Sequence, residues 1–78
     1  EKSTNIKISP NPAKSSVTVN GKNLKQAIII DQLGKTVLKQ ALTDSTTVIN
    51  VSFLAKGVYT LFITDINNKV YTEKIIVE

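Results

Sequence analysis

Few residues in this chain of 78 could carry covalent chemistry. It has no His and no Cys, so neither a Ser–His nor a Cys–His nucleophile pair can be assembled. Of the six acids, Glu1 and Glu78 are terminal, and Asp31, Asp44 and Asp65 sit among turn residues, where Asp commonly bonds its own backbone. Glu73 stands in an apolar stretch beside Lys74. A paired-carboxylate centre would have to draw these groups from separate loops. No catalytic residue and no cofactor is expected. With His, Cys and Met all absent, no structural transition-metal site is expected either.

Three short motifs invite a function and read better as turns. Asp65-Ile66-Asn67-Asn68 has the oxygen-rich start of a calcium loop but lacks its later ligands and distal Glu. Asn50-Val51-Ser52 fits a glycosylation sequon at a strand end. Asp44-Ser45-Thr46 is similar to an acceptor pattern of some periplasmic O-glycosylation systems, and also makes an ordinary polar turn. Tyr59 and Tyr71 could stack on a sugar, but Tyr59 falls on the core face of its strand. A carbohydrate platform usually shows several exposed aromatics, and this chain has four aromatics in all.

The net charge of +4 does not indicate nucleic acid. All ten basic residues are Lys, so bidentate recognition of bases or phosphates by Arg is absent. The lysines are also scattered singly, at 2, 7, 14, 22, 25, 35, 39, 56, 69 and 74, as on a solvated surface with protected strand edges. No apolar run approaches the roughly 18 residues of a membrane span.

Any site must be positioned by strands. Leu54-Ala55-Lys56-Gly57-Val58-Tyr59-Thr60-Leu61-Phe62-Ile63 is the organising stretch. A corner at Gly57 leads into a strand with Tyr59, Leu61 and Ile63 on one face and Val58, Thr60 and Phe62 on the other. Both faces are largely apolar, as expected of a central strand rather than a half-exposed one, and Phe53 beside it is expected at the core. The alternation in Asn5–Ser9 and Ser16–Asn20 predicts two strands with Ile6, Ile8, Val17 and Val19 inward. Pro10-Asn11-Pro12 makes a rigid corner between them. Asn20-Gly21 is a turn signal of the kind found in hairpins.

Further strands are predicted over Leu24–Asp31, Thr36–Ala41, Thr47–Val51, Val58–Thr64 and Val70–Val77. Hairpin turns fall at Asp31–Lys35, with Gly34 left-handed, and at Asp65–Lys69. Ser52–Gly57 is read as a corner containing up to one helical turn. Seven short strands spaced by about 8–12 residues indicate an all-β fold, an antiparallel, Ig-like β-sandwich. One domain of this size buries only about 60% of its unfolded surface.

The order of these punctuating elements is itself distinctive. Pro10-Asn11-Pro12 comes first, then Asp31-Gln32-Leu33-Gly34-Lys35-Thr36-Val37, then Leu54-Ala55-Lys56-Gly57-Val58-Tyr59, and finally Lys74-Ile75-Ile76-Val77. In this the chain resembles the type A C-terminal sorting domain of the type IX (Por) secretion system of certain Gram-negative bacteria, from about Ile6 to Glu78. Ser9 stands where that family usually has Tyr or another large residue.

The resemblance implies a non-catalytic address. Residues 1–5 would be the remnant of a linker to a missing N-terminal cargo, and 6–78 the sorting domain. Its partners would be the outer-membrane translocon and shuttle proteins, a sortase-like peptidase and the fused cargo, with self-association open. The protein would be exported through the periplasm to the cell surface or medium. Pro10, Asn11, Pro12, Gly34, Leu54, Gly57 and Tyr59 would hold the fold, while Lys74, Ile75, Ile76 and Val77 would be candidates for recognition. The rival expectation is a non-catalytic adhesion or carbohydrate-binding sandwich of an extracellular protein.

Overall fold

Alternating β-branched residues make strands because each packs well on a pleated surface, and here the alternation also decides which layer a strand joins. In a computed structural model describing residues 6–9 and 14–78, seven strands form two antiparallel sheets. The strands are β1 (Lys7–Ser9), β2 (Ser16–Asn20), β3 (Leu24–Ile30), β4 (Thr36–Ala41), β5 (Thr46–Asn50), β6 (Gly57–Asp65) and β7 (Val70–Val77). The sheets have the orders β1-β2-β5 and β4-β3-β6-β7. Compared with the four-plus-three arrangement of an Ig constant domain, the fourth strand lies beside the third instead of in the first sheet. Residues 1–5 and Pro10, Asn11 and Pro12 lie outside the described residues.

The inner faces carry the core. Val17, Val19 and Ile49 of one sheet meet Ala27, Ile29, Leu61, Ile63, Ile75 and Val77 of the other, all essentially solvent-free. Val51 and Leu42, just beyond β5 and β4, complete it. Ile6, Ile8, Leu24, Val37, Leu38 and Leu54 pack around its rim.

Three expectations need correction. The Asn20-Gly21 turn does not close a hairpin: β2 and β3 belong to different sheets, and the Gly21 N–H donates to the Ser45 carbonyl at 2.8 Å. Gly21 packs closely here, since a Cβ there would lie 2.8 Å from Leu24 Cδ1 and 3.2 Å from Ile6 Cγ1, and the Leu24 side chain would have to shift to admit it. The left-handed residue of this crossing is Asn23, at φ 59°. Second, Phe53 is 62% exposed, because the corner turns it outward. That corner is a single turn, with the Leu54 N–H on the Val51 carbonyl at 3.0 Å, and not a helix. Third, β6 is central in its sheet, yet Val58, Thr60 and Phe62 are only half-buried. A two-layer sandwich covers one face of each sheet, and the other is shielded only sideways by neighbouring side chains.

Both expected hairpins form. Asp31 Oδ1 accepts the N–H groups of Leu33 and Lys35, each at 2.9 Å, and Gly34 takes φ 85°. In the same way Asp65 Oδ1 accepts from the Asn67 and Lys69 N–H groups at 2.8 and 2.9 Å, with Asn68 at φ 65°. The Asp65 carboxylate therefore closes a plain turn, and its other oxygen accepts the Tyr71 hydroxyl at 3.1 Å.

Two outcomes follow from this packing. Ile29→Ala should cost about 2–5 kcal/mol in urea unfolding, whereas Val48→Ala, at a 61% exposed site, should stay within about 0.5 kcal/mol of the parent. The Lys69 N–H, aided by the Asn67 N–H, the Tyr71 hydroxyl and the Lys69 charge and opposed by partial loss of hydration, holds the Asp65 carboxyl below the ordinary 3.8. A depressed folded pKa stabilises the fold above the unfolded value, and that part is lost as pH falls from about 3.8 through the folded value. Asp65→Asn should accordingly flatten the acid limb of a stability–pH profile; an unchanged limb would show that Asp65 does not couple to folding.

Candidate functional site

Among the described residues, Gly34, Leu54, Gly57, Tyr59 and the end of β7 come together at one end of the sandwich. The register of β6 on β7 sets Gly57 opposite Val77, Val58 opposite Ile76, Tyr59 opposite Ile75 and Thr60 opposite Lys74. Ile30 pairs with Thr60, so the Asp31–Lys35 hairpin lies at the same end. Asp31, Gln32 and Leu33 face Lys56, Gly57, Val58 and Tyr59 across a shallow hollow of about 200 Å³. Leu33 at the hairpin tip is 92% exposed. Ser15 is at this end too, its carbonyl accepting the Val51 N–H at 2.9 Å. Ile6, Gly21, Ser45 and the Asp65–Lys69 hairpin lie at the other end, where the Ile66 N–H donates to the Asn23 carbonyl at 2.9 Å. The nine residues of β6 separate the two ends by on the order of 25 Å.

Tyr59 ties the corner to the core. Its ring is buried among Leu61, Ile75 and their neighbours, and its hydroxyl donates to the Ala55 carbonyl, four residues upstream, at 2.6 Å. A Tyr at the start of the sixth strand, bonded back across the corner from the fifth, is the tyrosine corner of Greek-key sandwiches. Leu54 packs against the core beside it, and Gly57 begins β6 at φ 156°. Asn50 Oδ1 accepts both the N–H and the hydroxyl of Ser52, at 2.9 and 2.7 Å, so the sequon residues shape the entry to this corner.

The four C-terminal candidates split by alternation. Ile75 and Val77 are buried and fill the core. Lys74 and Ile76 face outward, Ile76 being 39% exposed. Sequence reading missed the surface they join: Ile28 and Ile30 on β3 and Val58 and Phe62 on β6 lie on that same outer face. The signal was present, because two apolar faces on one strand mean either a buried sheet or an open apolar face, and strand alternation alone does not separate them.

A family model described as a secretion system C-terminal sorting domain matches residues 7–78. The chain belongs to this family of type IX C-terminal sorting domains. It is also 35% identical over 78 residues to an endo-acting ulvan lyase of Formosa agariphila, a match that takes in 96% of this chain. The chain spans 15% of that relative's length. The sorting domain thus acts as a C-terminal secretion signal of an exported protein. Its family is in general non-catalytic. Among the described residues no helix is long and apolar enough to cross a membrane.

The corner bond can be tested directly. Tyr59→Phe keeps the buried ring and leaves the Ala55 carbonyl without its partner, which should cost about 1 kcal/mol. Chemical unfolding with an unchanged slope is the check, and a variant as stable as the parent would remove this bond from the account.

Proposed function

We propose that the domain directs a cargo preceding residue 6 from the periplasm through the outer-membrane translocon of the type IX system, in company with its shuttle proteins. A surface sortase-like peptidase then cuts the domain away, and the cargo is released or attached to surface lipopolysaccharide. Residues 1–5 belong to the linker. The observation that carries this reading is the family match across both sheets, residues 7–78, on a folded domain whose Gly34, Gly57, Tyr59 and Lys74–Val77 lie at one end. The likeness to a relative named as an ulvan lyase supports a polysaccharide-degrading enzyme as the cargo.

In the folded domain the machinery reads side chains, and Lys74 and Ile76 are the members of the C-terminal segment placed to be read. Gly34, Leu54, Gly57 and Tyr59 maintain the shape that presents them, with Pro10, Asn11 and Pro12 assigned the same part from sequence.

A periplasm-targeted fluorescent protein fused ahead of residues 1–78 tests the reading in a host with an intact type IX system and in one lacking the translocon. Signal on the surface or in the medium is expected only in the intact host. Lys74→Ala should lower export while leaving the circular dichroism and unfolding midpoint of the domain unchanged; unchanged export would remove Lys74 from the signal. Retention of the parent fusion, folded and uncut, in both hosts would instead favour a non-catalytic carbohydrate-binding module.

A further inference from the structure

The outer faces of the two sheets differ in chemistry. On the three-stranded sheet the outward strand residues are Lys7, Ser9, Ser16, Thr18, Asn20, Thr46, Val48 and Asn50, polar apart from Val48. On the four-stranded sheet the pairing registers place Ile28 beside Phe62, Ile30 beside Thr60, and Val58 beside Ile76, with Val70 beside Thr64. Phe62, Ile28, Ile30 and Val58 are half-buried, and Ile76 and Val70 are 39% and 56% exposed. An open apolar centre on one sheet face only is not needed for solubility or for the core. An apolar centre rimmed by polar residues suits a surface that meets another molecule.

The charges around this centre indicate what that molecule carries. Lys39 on β4 pairs with Ile28, and Lys74 on β7 pairs with Thr60, so the face has lysines on its two flanking strands. Among the described residues no Asp or Glu occupies a strand position on this face, the one acid within β7, Glu73, pointing to the other side with Ile75 and Val77. Three strand spacings put the two lysines roughly 15 Å apart. A second copy laid face to face would bring its own Lys39 and Lys74 to the same contact, like charge toward like charge. Pairing through the β7 edge is disfavoured as well. Of the two antiparallel self-registers with the longest overlap, one sets Glu73 against Glu73 and the other Lys74 against Lys74.

We infer that the outer face of the four-stranded sheet, centred on Ile28, Phe62, Val58 and Ile76, docks a protein surface that presents an apolar ridge flanked by carboxylates. The inference deepens the sorting reading and rests on it, since it names the surface through which the domain is read. Lys74 and Ile76 are then the β7 side of a platform that spans four strands, and not a linear signal.

The export assay described above tests this with paired variants of the whole chain. Phe62→Thr/Ile76→Thr removes the apolar centre with a good strand former, and Lys39→Glu/Lys74→Glu reverses the flanking charge. Lys7→Glu/Val48→Thr makes matching changes on the other sheet. The two platform variants should each lose at least roughly tenfold in export, as expected for central contact residues, with unfolding midpoints near the parent's. The Lys7→Glu/Val48→Thr control should export normally. A photoreactive side chain in place of Thr60 should capture a host protein through an Asp- and Glu-rich segment, and Lys39→Glu/Lys74→Glu should abolish that adduct. Normal export of both platform variants would sink the docking face while leaving the sorting reading intact. Adducts formed only with a second copy of the chain would show a self-association face and overturn the proposed occupant. Retention of the parent fusion would remove the sorting reading itself, and this inference with it.

Discussion

The hydroxyl of Tyr59 on the carbonyl of Ala55 closes the corner through which the chain passes from one sheet to the other. The chain must pass from β5 in one sheet to β6 in the other through the short stretch Val51–Lys56, and a corner of this kind carries backbone groups that no strand partner can satisfy. One side chain meets both demands. Its ring adds to the core next to Ile75, and its polar tip satisfies the corner from within. Leu54 and Val51 pack on either side of the turn, closed by the Leu54 N–H on the Val51 carbonyl. β6 then starts in a fixed place, and β3 and β7 take their registers from it.

Much of this was legible because the responsible chemistry is local. Ile6, Ile8, Val17 and Val19 alternate with polar residues, and strand period two leaves one choice of inward face. The turns at Asp31–Lys35 and Asp65–Lys69 are written in an Asp that binds its own backbone and a Gly or Asn four or fewer residues on, which adopts the left-handed conformation. What escaped was long-range. Asn20-Gly21 has the composition of a hairpin turn, yet the chain leaves the sheet there because β5 and not β3 supplies the partner of β2. Phe53 is apolar and adjacent to the core stretch, yet the corner needs only Val51 and Leu54 inside.

The same limit explains the candidate site. Lys74-Ile75-Ile76-Val77 reads in sequence as one motif, but alternation divides it between core and surface. The outward pair acquires its context from Val58 and Thr60, residues some sixteen positions earlier in the chain, through a cross-strand register that sequence alone does not supply. Glycines and turn aspartates were visible as fold devices one at a time. The convergence of Asp31, Gly34 and Gly57 with the end of β7 on a single end of the molecule is a property of the topology.

That arrangement has a consequence for how such a signal can be recognised. Ile75 and Val77 occupy the core opposite Tyr59 and Gly57, so the segment that carries Lys74 and Ile76 is held in place by the same contacts that complete the four-stranded sheet. Lys39 and Ile28 come to the other side of that face only when β3, β4 and β6 are also in register. On the proposed reading, an unfolded chain contains every one of these residues and presents none of them together. A partner that binds across four strands would therefore select folded domains without measuring stability separately, because its contact surface and the sheet form in the same step.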